Sequence, residues 1–427
     1  MMNPQLTVSI PEIFVLWHPR CPLGEKLARR LLDWLRPGSG LGPEVFYRSL
    51  PAPDAPPNGL PLPLPGEERL KCDLFTRTRN NVSNLQVVVP LIDENMVADQ
   101  AWRHWIEQLS VQNPSSIQRS SKIHPIILPV ALDATAYNMP PALRKLNYLR
   151  PAGLPFPAGN SPAGAAFEDV VRSFLKQVTE SLCRHVLPRP VDPAPDPRDP
   201  RSKIKIFLSH AKQDGIIPAR RLRDYIYSQT QLAAFYDEND VGFGSAFSRE
   251  ILRGLSAPET AALIAVNSAR YASRPWCRRE FSFFRQPRED GRSAGGAERR
   301  FLYPSLVVEA MEGSQSSFGV PEFGCAPTIR WTDDDPNLEE MIVMTVIRDA
   351  MLASFHSALG AAIPSKPNQI IINWLPDPTT LQHIPAIRTG AKLDLLYPGS
   401  GLSSLEIDIL GEMYPSLTFK SFEQVLL

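Results

Sequence analysis

A chain of 427 residues exceeds one ordinary domain and points to two or three, and a 43% apolar share is enough for a core in each. Lys plus Arg and Asp plus Glu stand at 45 each, a formal net charge of zero, which argues against nucleic acid as the partner because binders of that polyanion carry a basic excess. Cys21, Cys72, Cys183, Cys277 and Cys325 are scattered, with no C-x-x-C and no histidine cluster beside them, so neither a metal site nor a disulfide framework is expected and a reducing cytoplasm is.

The first residues lack the basic start and long apolar run of a signal peptide, and no run is expected to reach the length of a membrane span. Ile13 to Trp17 reads as a buried strand, and Leu27, Leu31 and Leu35 recur on one face of a helix over Leu23–Leu35. Strand-like segments follow at Val45–Tyr47, Leu85–Leu91 and Ile126–Leu132, with a Pro-rich loop at Pro51–Pro65 and a closing helix over Phe167–Val186. Strands alternating with helices predict a parallel sheet covered on both faces. Pro188 to Pro200 holds so many prolines that neither a helix nor a sheet interior can form, and it reads as an extended linker.

The plan then repeats. Ile204–Leu208 is a strand, Pro218–Tyr227 a helix with proline in its first turn, and Ala233–Tyr236, Ala261–Val266 and Leu302–Val308 are further strands. Arg285–Arg300, rich in charge and glycine, reads as a loop, and Leu338–Leu359 as the last helix of this half. The helix Ala28–Leu35 parallels Ala219–Ile226 almost residue for residue, each shortly after a first strand and a histidine (His18, His210), which favours a duplicated unit. A third piece adds strands at Gln369–Trp374 and Lys392–Leu396 and a helix over Leu402–Met413. The expected division is a first domain at 1–187, a linker at 188–202, a second domain at 203–362 and a small C-terminal α/β module at 363–427.

The common enzymatic signatures are absent: no G-x-x-x-x-G-K-[ST], no G-x-G-x-x-G after a strand, no G-x-S-x-G and no H-E-x-x-H. A specific constellation remains in the second domain. Phe207-Leu-Ser-His-Ala-Lys-Gln-Asp214 follows the first strand, Tyr236-Asp-Glu-Asn-Asp240 the second, and Tyr271-Ala-Ser-Arg-Pro-Trp-Cys-Arg-Arg-Glu280 the third. Trp276 and Glu280 lie four apart, so a helix puts them on one face beside the C-terminal ends of the strands, where open α/β sheets bind ligands. A carboxylate there suits a reaction that develops positive charge, such as loss of nicotinamide from a ribose that turns oxocarbenium-like. The plain alternative makes Trp276 a core residue and Glu280 a surface charge, the usual fate of both types.

In this order and spacing, the strand ending in F-x-S, the Y-D-x-x-D turn and the S-x-x-W-C-x-x-E helix resemble a TIR domain of the bacterial NAD-cleaving type. The resemblance implies tandem flavodoxin-like parallel-sheet domains and a NAD glycohydrolase, with NAD as substrate and neither cofactor nor metal. It assigns Glu280 as the catalytic carboxylate and places Ser209, His210, Asp237, Glu238 and Trp276 around the substrate. It further implies self-association through TIR–TIR contacts, an activating protein or nucleotide ligand, a cytoplasmic setting away from membranes, and a role in antiphage defence. A product of ADP-ribose or of its cyclic variant is compatible with it. The competing reading is a non-catalytic adaptor that works by homotypic binding.

The first domain offers a comparison from within the chain. Matching Trp102 to Trp276 sets Ile106 opposite Glu280, and Glu107, one residue late, is turned about 100° off the face. The first domain therefore reads as a degenerate TIR-like copy without the carboxylate, suited to assembly, sensing or scaffolding.

Overall fold

β-Branched and apolar runs become the inner strands of parallel sheets, because strands covered on both faces need apolar side chains on both. A computed structural model describes residues 8–36, 42–48, 82–111, 125–154, 165–187, 204–230, 232–235, 254–255, 260–289, 296–311, 319–364, 366–399 and 401–426. The two proline-rich segments, at 51–65 and 188–200, lie outside the described residues. The chain divides into two units: Met1–Leu182 with Ala361–Ile363 and Leu426–Leu427, and Cys183–Gly360 with Pro364–Val425.

In the first unit the strands are β1 (Val8–Trp17), β2 (Glu44–Arg48), β3 (Val82–Ile92), β4 (Ile126–Ile127) and β5 (Val130–Ala131). They form one parallel sheet in the order β2-β1-β3-β4, with β5 also pairing β3. The run expected as one strand over Ile126–Leu132 is thus two short ones. They part at Leu128-Pro129, and proline has no N–H to give a ladder. Helix α1 (Pro22–Leu35) begins on proline and buries Leu27, Leu31 and Leu35. Helices α2 (Glu94–Ala98), α3 (Gln100–Val111), α4 (Pro141–Arg144) and α5 (Ala165–Val186) complete this part. Trp102 and Ile106 of α3 join Ile92, Met96, Ala131 and Leu143 in one apolar cluster.

The second unit holds two sheets. β6 (Lys205–His210), β7 (Ala233–Phe235), β8 (Thr260–Asn267), β11 (Ser305–Glu309) and β12 (Thr328–Arg330) lie in the order β12-β11-β8-β6-β7, all parallel. By chain position this is 2-1-3-4 for its first four strands, the order of the first unit's sheet. Between β6 and β7 runs α6 (Ile216–Gln229), which starts two residues before Pro218 and so keeps that proline in its first turn, where no N–H is required. After β8 comes α7 (Pro275–Phe284), again opened by proline.

The other sheet orders β15-β14-β13-β10-β9, from β9 (Arg288–Glu289), β10 (Glu298–Phe301), β13 (Gln369–Ile372), β14 (Leu393–Tyr397) and β15 (Leu417–Ser421). Only β9 runs antiparallel. Two of its strands come from the segment expected to be a loop. The charges misled: Arg300 pairs with Glu298 at 2.5 Å and Glu289 at 3.3 Å, and Arg299 is buried, its aliphatic stem serving as core. Because Glu298–Arg300 pair with Ile370–Ile372, this sheet draws on both sides of the boundary expected at 362.

Helix α8 (Leu338–Ala362) corrects a second expectation. It is long and apolar enough to cross a membrane by length and composition. Its acidic start and the Arg348-Asp349 pair hid that in the sequence. Most of the apolar window is buried, with Ile342, Val343, Val346, Ile347 and Met351 all nearly without exposure, as in a core helix that is apolar all round. Three shorter helices, α9 (Pro378–Leu381), α10 (Ser404–Met413) and α11 (Phe422–Leu426), end the chain, and α10 carries a full capping box between Ser403 and Glu406.

Candidate functional site

The sheet order leaves a crevice where neighbouring connections diverge, above the C-terminal ends of β6 and β8, and open parallel sheets bind ligands at that kind of place. The last two residues of β6 are Ser209 and His210, both buried. β8 ends at Asn267, and its continuation Ser268–Arg274 folds back as turns before Pro275 starts α7. The sheet and these two elements converge on one carboxylate.

Glu280 lies two turns into α7 with only 5% of its surface exposed, although glutamate is seldom buried without partners. The Ser209 hydroxyl donates to its Oε2 at 2.6 Å, and the Tyr271 hydroxyl stands 2.9 Å from Ser209 Oγ. Ser209 has one proton and gives it to the carboxylate, so the phenol donates in the second bond or turns to the carbonyl of Cys277 at 3.2 Å. Burial first, and the Glu280 charge second, push the Tyr271 hydroxyl well above its ordinary value, so it remains a donor. The Cys277 thiol adds a contact from α7 to β6, donating to the carbonyl of His210 at 3.4 Å.

Around this polar chain the walls are apolar. Tyr271, Phe281 and Phe284 belong to a cluster with Phe207, Leu263 and Val307. Phe323 packs on Tyr271 and edge-on against Phe281, with ring centres 5.5 and 4.7 Å away. Trp276 is half-buried against the cluster, and the Arg279 guanidinium lies over its ring at 5.2 Å. Arg278 pairs with Glu322 at 2.8 Å through Nε, and together they anchor α7 to the segment that carries Phe323.

Of the residues expected from the sequence, the fold brings Ser209 and Glu280 into direct contact, while His210, the next residue of β6, meets α7 through its backbone carbonyl. Trp276 occupies the first turn of the same helix. Asp237 and Glu238, with Asp240, lie outside the described residues. Two further residues were not singled out. Tyr271 was passed over because nothing local says that a phenol in a turn will bond a serine 62 positions earlier. Asp214 accepts from Ser268 Oγ at 2.7 Å and from the Arg270 N–H at 2.8 Å, and so ties the loop after β6 to the loop after β8. Its signal was available, since a carboxylate just past a strand commonly caps a neighbouring turn.

Among the described residues no group of three or more His, Cys, Asp or Glu side chains is placed to hold a metal ion. The chemistry open to this arrangement is that of a shielded carboxylate: it can stabilise a cation, hold a hydroxyl, or take a proton. In comparisons with known proteins, no family model and no curated protein matches the chain.

Proposed function

We propose that the second unit cleaves the nicotinamide–ribose bond of NAD, with Glu280 as the carboxylate that meets the developing oxocarbenium ion. The observation that carries this reading is the buried Ser209–Glu280 hydrogen bond at the crevice between β6 and β8. Two things support it further: the β7-β6-β8-β11-β12 order, which corresponds to the flavodoxin-like arrangement and its binding crevice, and the sequence resemblance to NAD-cleaving TIR domains.

The reaction asks little of the protein in acid–base terms. As the C1′–N bond breaks, its electron pair neutralises the pyridinium, so nicotinamide leaves uncharged without protonation. Water adds to C1′ and releases one proton, giving ADP-ribose. Capture of C1′ by a group of the same molecule would give a cyclic product instead. Glu280 stabilises the cation by charge, and Ser209, donating to Oε2, fixes the carboxylate's direction. The phenyl walls keep bulk water from screening that charge. Self-association in the cytoplasm, with an activating ligand, belongs to the same proposal.

A second reading follows from the same burial. A carboxylate bonded within the fold also serves as a strut, and the unit would then act as a scaffold through homotypic contacts. Following NAD and its products by chromatography at high protein concentration separates the two. The enzyme predicts NAD loss in wild type and a rate at least ~10²-fold lower in Glu280→Gln. A Glu280→Gln protein that keeps full biological activity, or wild type that consumes no NAD with or without lysate from infected cells, rejects it.

A further inference from the structure

Two guanidinium groups next to the crevice converge on a neutral oxygen. Arg270 Nη1 and Arg274 Nη2, both from the loop after β8, donate to the side-chain carbonyl of Gln213 in the loop after β6, the Arg274 bond at 2.6 Å. Among the described residues neither guanidinium has an ion pair with a carboxylate. Asp214 takes the Ser268 hydroxyl on one oxygen and the backbone N–H of Arg270 on the other. A carboxamide oxygen is a weak match for two full positive charges, whereas a phosphate offers several charged acceptors in the spacing guanidinium groups prefer.

The start of α6 adds a second, independent pull on an anion. Its cap residue is Gly215, which offers no side-chain hydrogen bond to the first turn. The helix is 14 residues long, and its opening N–H groups and dipole favour negative charge. Gly215 also closes a tight turn, its N–H bonding the carbonyl of Ala211 at 2.8 Å, and a Cβ there would come within 3.1 Å of that same oxygen. The loop backbones are thus fixed, by this turn and by Asp214, while Gln213 can rotate away.

We propose that Arg270 and Arg274 form a clamp for the diphosphate of a dinucleotide substrate, and that Gln213 fills the anion's place until substrate arrives. The proposal rests on the NAD-cleaving reading for the identity of the substrate, but the clamp itself can be measured apart from turnover. Gln213 lies three residues beyond His210, so a group held here is anchored one loop away from Ser209 and Glu280. The clamp therefore selects substrates that carry a diphosphate and sets their reach to the carboxylate.

Titration calorimetry of the full chain with inorganic pyrophosphate, at low ionic strength where charge pairing is least screened, tests the clamp without any reaction. Wild type is expected to bind, and Arg270→Gln/Arg274→Gln to bind at least about tenfold more weakly. Gln213→Glu keeps both arginines but gives them a built-in carboxylate and is expected to lose pyrophosphate to the same degree. Gln213→Ala is expected to bind at least as tightly as wild type. No binding by wild type, equal binding by the arginine pair variant, or unaltered binding by Gln213→Glu each overturns the clamp. In turnover, the arginine pair variant is expected to raise KM for NAD about tenfold with kcat within about threefold. Should wild type bind pyrophosphate yet cleave no NAD, with or without lysate from infected cells, the clamp stands and the assigned reaction falls.

Discussion

The contact between Ser209 and Glu280 makes a prediction with a definite size. Ser209→Ala leaves a carboxylate that is 5% exposed without a hydrogen bond of 2.6 Å. A bond to a buried charged group contributes about 1.5–3 kcal/mol, so the single change is expected to cost roughly 2 kcal/mol. Glu280→Ala removes the charge, and the Ser209 hydroxyl then keeps its neutral partner Tyr271 at 2.9 Å. On that background Ser209→Ala forfeits only a neutral bond, about 0.5–1.5 kcal/mol. The four proteins of the cycle should therefore show a coupling of about 1 kcal/mol, read from urea unfolding followed by tryptophan fluorescence. For a unit of this size each kcal/mol moves Tm by about 2–4 °C, so Ser209→Ala alone should melt about 4–8 °C lower. Additivity within about 0.3 kcal/mol would mean that serine and carboxylate do not act as a pair, and the account of how Glu280 is held would fail with it.

Three further outcomes concern Cys21 and Gly24 of the first unit. Burial, and then the charge of Asp93, push the Cys21 thiol from 9.0 up to about 12, so thiolate forms later in the folded chain than in the unfolded one. Stability from this group is whole below pH 9 and is lost as pH rises toward 12, by at most about 4 kcal/mol, and the loss should disappear in Cys21→Ala. Iodoacetamide at pH 8 should accordingly label exposed Cys325 and spare Cys21, and prompt labelling of Cys21, located by mass spectrometry, would refute its burial. Gly24 of α1 presses on Trp17, where an added Cβ would fall 2.5 Å from the Trp17 Cβ. Gly24→Ala should thus destabilise by about 1–3 kcal/mol in calorimetry despite alanine's higher helix propensity, and a gain in stability would contradict the packing.

Much of the site could be read before the fold was known, for a physical reason. The strands β6, β8 and β11 are buried on both faces, so Ile206–Leu208, Leu263–Val266 and Leu306–Val308 are written as unbroken apolar runs. Pro275 marks the start of α7 because a first-turn residue needs no N–H. With the strand ends and the helix start located, Ser209 and Glu280 fall at the same crevice. What escaped was decided by distant contacts. Tyr271 gains its role from β6, and the strand at Glu298–Phe301 gains its place from Ile370–Ile372, neither of which has a local signature. The helix at Leu338–Ala362 is legible as a helix, and only its apolar length runs against expectation, since its few charges mask a composition that burial explains.

The two units differ in polarity at the end of the first strand and on the helix after the third. Both sheets place the first strand between the second and the third, with a histidine just after it in one, His18, and as its last residue in the other, His210. In the first unit His18 Nδ1 accepts from the N–H of Arg20 at 3.2 Å, and its Nε2 lies 3.6 Å from Asp99 Oδ2. The residue before it is Trp17 where the second unit has Ser209, and the residue four beyond the helical tryptophan is Ile106 where the second unit has Glu280. Removing Ser209 alone would leave the buried carboxylate without this donor, at a cost of roughly 2 kcal/mol, whereas removing Glu280 alone leaves Ser209 its bond to Tyr271. Ile106 is 1% exposed among Ile92, Met96 and Trp102, while Trp17 packs on Gly24 of α1. The Ser209–Glu280 hydrogen bond belongs to the second unit, and the corresponding turn of α3 in the first unit carries Ile106 in an apolar cluster.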